Sequence, residues 1–242
     1  MKNPLLHPHW YVLGLTMNSD TLITMWVIMA LLVVGTWLIM RKATSDVPGP
    51  LQNALEYLAD FVASFIHESV NPKAGAMMLD YLMTTLLFLV VANIIGAIPF
   101  VRSPVADANV PIGMAGLVFL LTHWNGFRTK GLGYFKHFAP SAPTLIRPVL
   151  VLMSLIELVA NPVTLSMRIF GNIFAGELLT HVLDHLIPFG LGYILGWIPQ
   201  VGWLLFSLFV DAIQAYVFMA LTLTYVGMAM ADEEEAGDEV IV

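Results

Sequence analysis

VLVLMSLIELVANPVTLSMRIFGNIFAGELLTHVLDHLI, residues 149–187, decides how this chain folds. It is apolar almost throughout, and Pro162 is its single break signal. As a helix it would measure about 58 Å at 1.5 Å per residue. That is nearly twice the hydrocarbon thickness of a bilayer, about 30 Å. The segment must therefore fold back at Pro162 or run through the membrane at a steep tilt.

The rest of the chain has the same character. Residues 21–40 form an uncharged apolar run, closed by Arg41 and Lys42, and long enough to span a bilayer. After the break Val47-Pro-Gly-Pro50, residues 51–69 place Leu51, Leu55, Leu58, Val62 and Phe65 at helical spacing. Gln52, Glu56, Asp60 and Glu68 fill the other face, which predicts an amphipathic helix on the membrane surface or against a partner. Residues 77–124 read as a helical hairpin, turning in the Pro-rich loop Ser103–Pro111. Residues 148–187 and 199–231 are two long tilted helices, and residues 232–242 an acidic tail. The predicted fold is an all-α polytopic membrane protein with one membrane domain, 1–242.

Composition supports this reading. Apolar residues make up 58% and charged residues 11%, and the mean hydropathy is +0.81. Soluble domains carry roughly 25% charge. The net charge is −7, but the tail from Asp232 to Glu239 holds six acidic groups, leaving the remainder near −1. With 10 Lys+Arg there is no basic stripe for nucleic acid. No cysteine is present, so disulfides and thiol chemistry are excluded. No leader peptide is expected, because the first long apolar run begins only at Thr21 and no small-residue cleavage pattern follows.

An outside N-terminus puts Arg41, Lys42, Lys73, Arg128, Lys130, Lys136 and Arg147 inside, against Lys2 and Arg102 outside. The positive-inside rule selects that orientation, with the acidic C-terminus in the cytoplasm.

Ionisable groups within membrane segments are costly and read as functional by default. Four stand out: Glu157, Arg168, Glu177 and Asp211. Arg168 keeps its charge, so an anion or water must meet it. Asn161, Thr164, Arg168 and Asn172 share one helical stripe. A structural ion pair with Glu157 is the alternative. Glu177, nine residues on, points to the opposite side and opens a second stripe with His181, Asp184 and His185. That stripe is either a proton relay or simply wet interface. His181 and His185 have metal-pair spacing but no third ligand nearby, so no metal and no cofactor are expected. The last helix carries Gln200, Ser207, Asp211 and Gln214 on one line, either as polar packing between helices or as a functional path.

Residues 161–177, NPVTLSMRIFGNIFAGE, resemble the hallmark of subunit a of the F-type ATP synthases, an L-x-x-R-L-F-G-N-x-x-A-G-E-like stretch. Residues 214–222, QAYVFMALT, resemble that family's second signature. Asn93-Ile-Ile-Gly-Ala-Ile-Pro99 and Ser103-Pro-Val-Ala-Asp107-Ala-Asn109 resemble two further segments, in the right order. The resemblance implies a non-catalytic subunit, in the cell (inner) membrane, whose partners are a ring of c subunits, peripheral-stalk b subunits, the rest of the complex and the bilayer. It implies that Arg168 is the stator arginine facing the ring, with Asn172 its polar neighbour. Glu177 and Gln214 would belong to an outer aqueous half-channel, with Asn93, Asp107 and Asn109 toward its mouth. Asn161 and Thr164 would lie toward an inner half-channel.

One departure stands out. The family usually has His or Glu seven positions before its glutamine, where this chain has Ser207, and Asp211 stands one turn later. Asp211 is expected to supply the missing titratable group, with Glu177 on the facing helix as its partner. The Gly96 position, acidic in some relatives, is not acidic here. A stand-alone transporter that binds an anionic substrate at Arg168 is the competing reading; one-protein liposomes would distinguish it. An intramembrane enzyme finds no Ser-His pair, H-E-x-x-H or Asp dyad.

Overall fold

The structure, a computed structural model, describes residues 9–12, 15–44, 47–69, 72–98, 101, 103–131, 133–134, 146–186 and 197–230. A short antiparallel hairpin, β1 (His9–Val12) and β2 (Leu15–Asn18), opens it, with His9 opposite Asn18. Six helices follow: α1 (Ser19–Met40), α2 (Pro50–Ser69), α3 (Pro72–Gly96), α4 (Asn109–Lys130), α5 (Arg147–Leu186) and α6 (Trp197–Met230). A 3-10 turn, Pro104–Ala106, precedes α4. All but α2 are long and apolar enough to cross a membrane. The chain is thus a polytopic all-helical membrane protein, to which the hairpin adds a small β element. The acidic tail lies outside the described residues.

Local chemistry explains where these helices start, continue and stop. α4 begins before its apolar run because the Asp107 carboxylate accepts the Asn109 backbone N–H at 3.1 Å, capping the free amide end. Pro111 sits in the first turn, where a missing N–H costs nothing. Gly131, at φ +56°, ends the helix in a conformation open to glycine. α5 runs unbroken through Pro162, so the chain does not fold back there. Its 40 residues measure about 60 Å.

The helices pack through one apolar core. Leu82, Leu86 and Leu89 of α3 meet Val118 of α4, Leu165 and Ile169 of α5, and Phe218, Met219 and Leu223 of α6. The amphipathic α2 finds its partner within the chain. It buries Val62 and Ile66, and sets Phe61 and Phe65 at 6.2 and 5.6 Å from the Tyr216 ring of α6. α1 stands apart, with Ile28 its one fully buried large side chain. Its outward face, like those of α5 and α6, displays large apolar residues such as Trp26, Val159 and Leu205. Water does not tolerate that much contiguous apolar surface, whereas lipid or an apolar partner does.

Candidate functional site: two cavities either side of Arg168

Arg168 lies on the outer face of α5, exposed, with Met167 exposed beside it. No ion pair or hydrogen bond reaches it among the described residues. Glu157 is also exposed and stands eleven residues earlier, about 16 Å along the axis. An intrahelical ion pair between them is therefore out of reach.

Two cavities open against α5, one toward each end. The first, of about 150 Å³, is lined from α4, α5 and α6 by Thr122, His123, Glu157, Asn161, Leu165 and Tyr225, among others. Pro162 lines it too, and having no N–H it leaves the Leu158 carbonyl without its i+4 donor. Thr122 Oγ1 is buried without a hydrogen-bond partner. A buried hydroxyl in that position calls for water. Tyr134 closes one side, its ring against Gly126, where a Cβ would collide with it.

The second cavity, of about 80 Å³, is lined from α3, α5, α6 and the segment before the 3-10 turn by Asn93, Ser103, Gly176, Glu177, Ser207 and Asp211, among others. Small residues bring its walls together. A Cβ on Gly176 would stand 3.3 Å from Ser207 Oγ, and a Cβ on Gly96 would lie 2.6 Å from Ser103 Cβ. Ser103 thus fills the space an acidic side chain at position 96 would need. Trp203 Nε1 donates to the Gly176 carbonyl at 3.2 Å, tying α6 to α5. The Asn172 amide donates to Asp211 Oδ1 at 2.8 Å. The Asn93 amide reaches the Asp211 carbonyl at 3.5 Å, while Asn93 Oδ1 is buried without a partner and calls for water in turn.

Between the cavities the interior is closed. Leu165 and Ile169 of α5 pack with Ala215, Phe218 and Met219 of α6, each at most 2% exposed. The buried hydroxyls beside that layer, Ser166 and Thr222, donate to carbonyls of their own helices, Val163 at 2.9 Å and Phe218 at 2.8 Å. The α5 residues lining one cavity end at Leu165 and those lining the other begin at Ile173, with Arg168 between them on the outside.

Several sequence candidates meet here and others do not. Glu177, Ser207, Asp211 and Asn93 share the smaller cavity, with Asn172 bonded to its Asp211. The direct hydrogen-bond partner of Asp211 is thus Asn172, with Glu177 in the same cavity. Asn161 lines the larger cavity, and Thr164, exposed, donates to the Asn161 carbonyl at 3.0 Å. Gln214 is half-buried outside both linings, its Oε1 buried without a partner. Asp107 and Asn109 sit apart, in a clasp. The Asp107 carboxylate accepts from Asn18 at 2.6 Å, Thr21 at 3.0 Å, and the Asn109 backbone and side-chain amides. Burial raises its proton affinity, but these four donors together outweigh that and hold the carboxyl below its usual range. His181, Asp184 and His185 belong to α5, and their side chains lie outside the described residues. Sequence reasoning missed His123, Thr122 and Tyr134: no spacing links a tyrosine beyond Gly131 to a helix face at 157–161.

Comparison with known proteins followed the same lines. The family model described as "ATP synthase A chain" matches residues 22–227. A protein of Desulforamulus reducens named "ATP synthase subunit a" is 38% identical over 232 residues, 94% of this chain and 85% of its own length. Proteins of the same name from Gloeobacter violaceus and Bacillus subtilis are 33% and 35% identical, covering 95% and 88% of this chain and 91% and 92% of their own.

Proposed function

The chain belongs to the ATP synthase A chain family, and from that premise we propose that it is the ion-translocating stator of a rotary ATP synthase, with its two cavities serving as separate half-channels. It is a membrane subunit of ATP synthesis and ion transport, non-catalytic by itself. The observation that carries the half-channel reading is the closed apolar layer between two polar cavities, with Arg168 outside it. On this reading an ion that enters one cavity does not cross the protein interior to the other. It must leave through the outer face of α5 and travel on something else.

A ring of c subunits bearing carboxyl groups is the partner that fits. Arg168 on an apolar face is costly against lipid, about 2.5–3.5 kcal/mol on insertion scales. Opposite a carboxylate that cost is recovered. A proton arriving through the smaller cavity neutralises a ring carboxylate, and the neutral site rotates into lipid where the charged form would be prohibitive. On the other side Arg168 favours the ionised form, and the released proton leaves through the larger cavity. Its fixed charge also repels protons that would leak between the cavities. The driving force is about 2.3 kcal/mol per charge per 100 mV.

The positive-inside bias makes the smaller cavity the outer one and the larger the inner, with the N-terminus outside, the C-terminus cytoplasmic, and the cell membrane as the site. α5 and α6 exceed the bilayer thickness and would lie steeply tilted along the ring. Peripheral-stalk b subunits complete the stator. Within the outer cavity Asp211 takes the titratable role that relatives place at the Ser207 position. Asn172 holds its carboxylate one turn from Arg168, with Glu177 as the second carboxylate of the relay; on the inner side Asn161 and Thr164 continue the polar stripe.

The test is Arg168→Ala in the assembled complex. Ion-driven ATP synthesis should vanish, and Lys should fail largely too, since it lacks the planar fork. Normal coupled synthesis in Arg168→Ala membranes would defeat the reading.

A further inference from the structure

Beside the smaller cavity α6 meets α5 at three levels. Trp203, Ser207 and Asp211 recur at every fourth residue of α6 and all line that cavity, so they share one face. The Trp203 indole N–H donates to the Gly176 carbonyl at 3.2 Å. Ser207 Oγ stands 3.3 Å from where a Cβ on Gly176 would be, and Asp211 Oδ1 accepts from the Asn172 amide at 2.8 Å. We infer that Trp203 is a positioning residue for Asp211: its bond to Gly176 braces α6 against α5 so that Asp211 stays within reach of Asn172. The inference rests on the half-channel reading, in which Asp211 titrates, and adds the group that holds it in place.

Apolar packing does not supply that brace. The buried residues of α6 begin at Asp211 and continue with Ala215, Phe218 and Met219. Among the described residues no position of α6 before Asp211 is buried, and Val201, Leu205 and Phe206 are exposed. The core therefore grips α6 on one side of Asp211 only. On the other side, eight residues and about 12 Å along the helix, stands Trp203. Its indole is half-buried and packs on the Phe206 ring at 5.4 Å. The Gly176 carbonyl that accepts it also takes the Thr180 hydroxyl at 3.0 Å, so the acceptor is fixed within α5.

The two polar ties differ in what protonation does to them. An amide bonds a carboxylate about twice as strongly as it bonds a neutral acceptor. The Asn172 tie therefore slackens and tightens as Asp211 gains and loses a proton. The Trp203 tie does not follow that cycle, because an indole N–H only donates and a backbone carbonyl only accepts. It holds the helix pair while the carboxyl is neutral. Glu177 of α5 is the other charged side chain lining this space. Asn93 of α3, Ser103 before the 3-10 turn, Thr180 of α5 and Ser207 of α6 are neutral, and Arg168 is not among the lining residues.

The experiment uses the complete complex in membrane vesicles. ATP-driven proton pumping is followed with a pH-sensitive dye from about pH 6 to about pH 9, each variant against the parent at the same pH. Trp203→Phe keeps a ring and removes the N–H. Trp203→Met, a flexible apolar filler without the N–H, is run beside it, so that failure of one to assemble leaves the other to read. Pumping should fall about fivefold, the factor that one ordinary hydrogen bond represents. The pH of half-maximal rate should move by at least about half a unit, because the donor to a titrating carboxylate has shifted. In an Asp211→Asn background the same substitution should add less than about a twofold loss, since the carboxylate it positions no longer titrates. A parental rate and pH profile in both variants overturns the inference. So does a loss that is equal at every pH and multiplies in full with Asp211→Asn, the mark of packing alone. A wild-type rate in Asp211→Asn itself removes the reading beneath the inference. An impaired Asp211→Asn beside parental Trp203 variants removes the brace alone.

Discussion

The two cavities flank the same pair of helices yet are built differently. The smaller one is about 80 Å³, and its carboxylate Asp211 is held by a side-chain bond from α5. Its walls approach through Gly96, Gly176, Ser103 and Ser207. The larger one has about twice the volume and is walled mostly by apolar and aromatic residues, with Pro162 breaking the α5 ladder and Tyr134 closing the side. Small residues bring the walls of the smaller cavity close, and there Asp211 has a fixed neighbour in Asn172. Thr122, His123, Glu157 and Asn161 line the larger cavity from two helices, around its greater volume. A narrow polar passage selects and positions, whereas a wide one admits bulk water. On the proposed half-channel reading, the contrast suits a path that delivers protons singly at one end and exchanges them with solution at the other.

The sharpest way to break the contrast is Asp211→Asn. It keeps shape and much of the hydrogen bonding with Asn172 but removes titration. Proton translocation should fall by about 100-fold, the low end of what a positioned proton-transfer group supplies. A wild-type rate between pH 6 and 9 would remove Asp211 from the pathway. If the loss appears, Ser207→Glu combined with Asp211→Ala should recover part of the rate, because the two positions are one turn apart on the same face.

Gly126→Val tests whether the inner cavity depends on its Tyr134 wall. The new side chain meets the Tyr134 ring, and overpacking of that kind costs about 1–3 kcal/mol. The thermal midpoint of the complex in detergent should drop, and proton translocation should slow in both directions, because the two cavities act in series. A parental rate of translocation would mean that the larger cavity does not depend on that wall.

The smallest effect concerns the clasp at the outer end. Asp107 has a lowered proton affinity in the folded chain, so its contribution is complete above the unfolded carboxylate value of about 3.9 and fades only as pH falls through the lower folded value. Amide exchange at the start of α1 should therefore be unchanged from pH 5 to 8 after correction for intrinsic rates. Asp107→Asn loses a charge-assisted acceptor worth about 1.5–3 kcal/mol at most, and should speed exchange there without slowing proton flow. Slowed proton flow with unchanged exchange would return Asp107 to the pathway.

Asp107 also shows where sequence reading reaches its limit. A carboxylate and an asparagine two residues apart near the outer mouth look like channel residues, and only the fold shows that α1 and β2 arrive to occupy them. Arg168, Glu177 and Asp211 were legible because a charge inside an apolar run is improbable in lipid whatever its neighbours. His123 was not legible, because a histidine near the end of a short apolar run looks the same whether it faces solvent or a cavity. The Asn172–Asp211 bond spans 39 residues, and no periodicity within one helix can reveal a contact between two.

The sequence by itself determined the membrane class, the number and order of the long apolar helices, the stripe through Arg168 and the membership of the family. These follow from hydrophobicity, helical period and motif, which are local properties of the chain. Tertiary structure alone decided that α5 continues through Pro162, that two cavities open along it, and that Leu165, Ile169, Phe218 and Met219 are buried between them. Those outcomes depend on which surfaces of distant helices meet and how their side-chain volumes fit, quantities that exist only once the helices are packed.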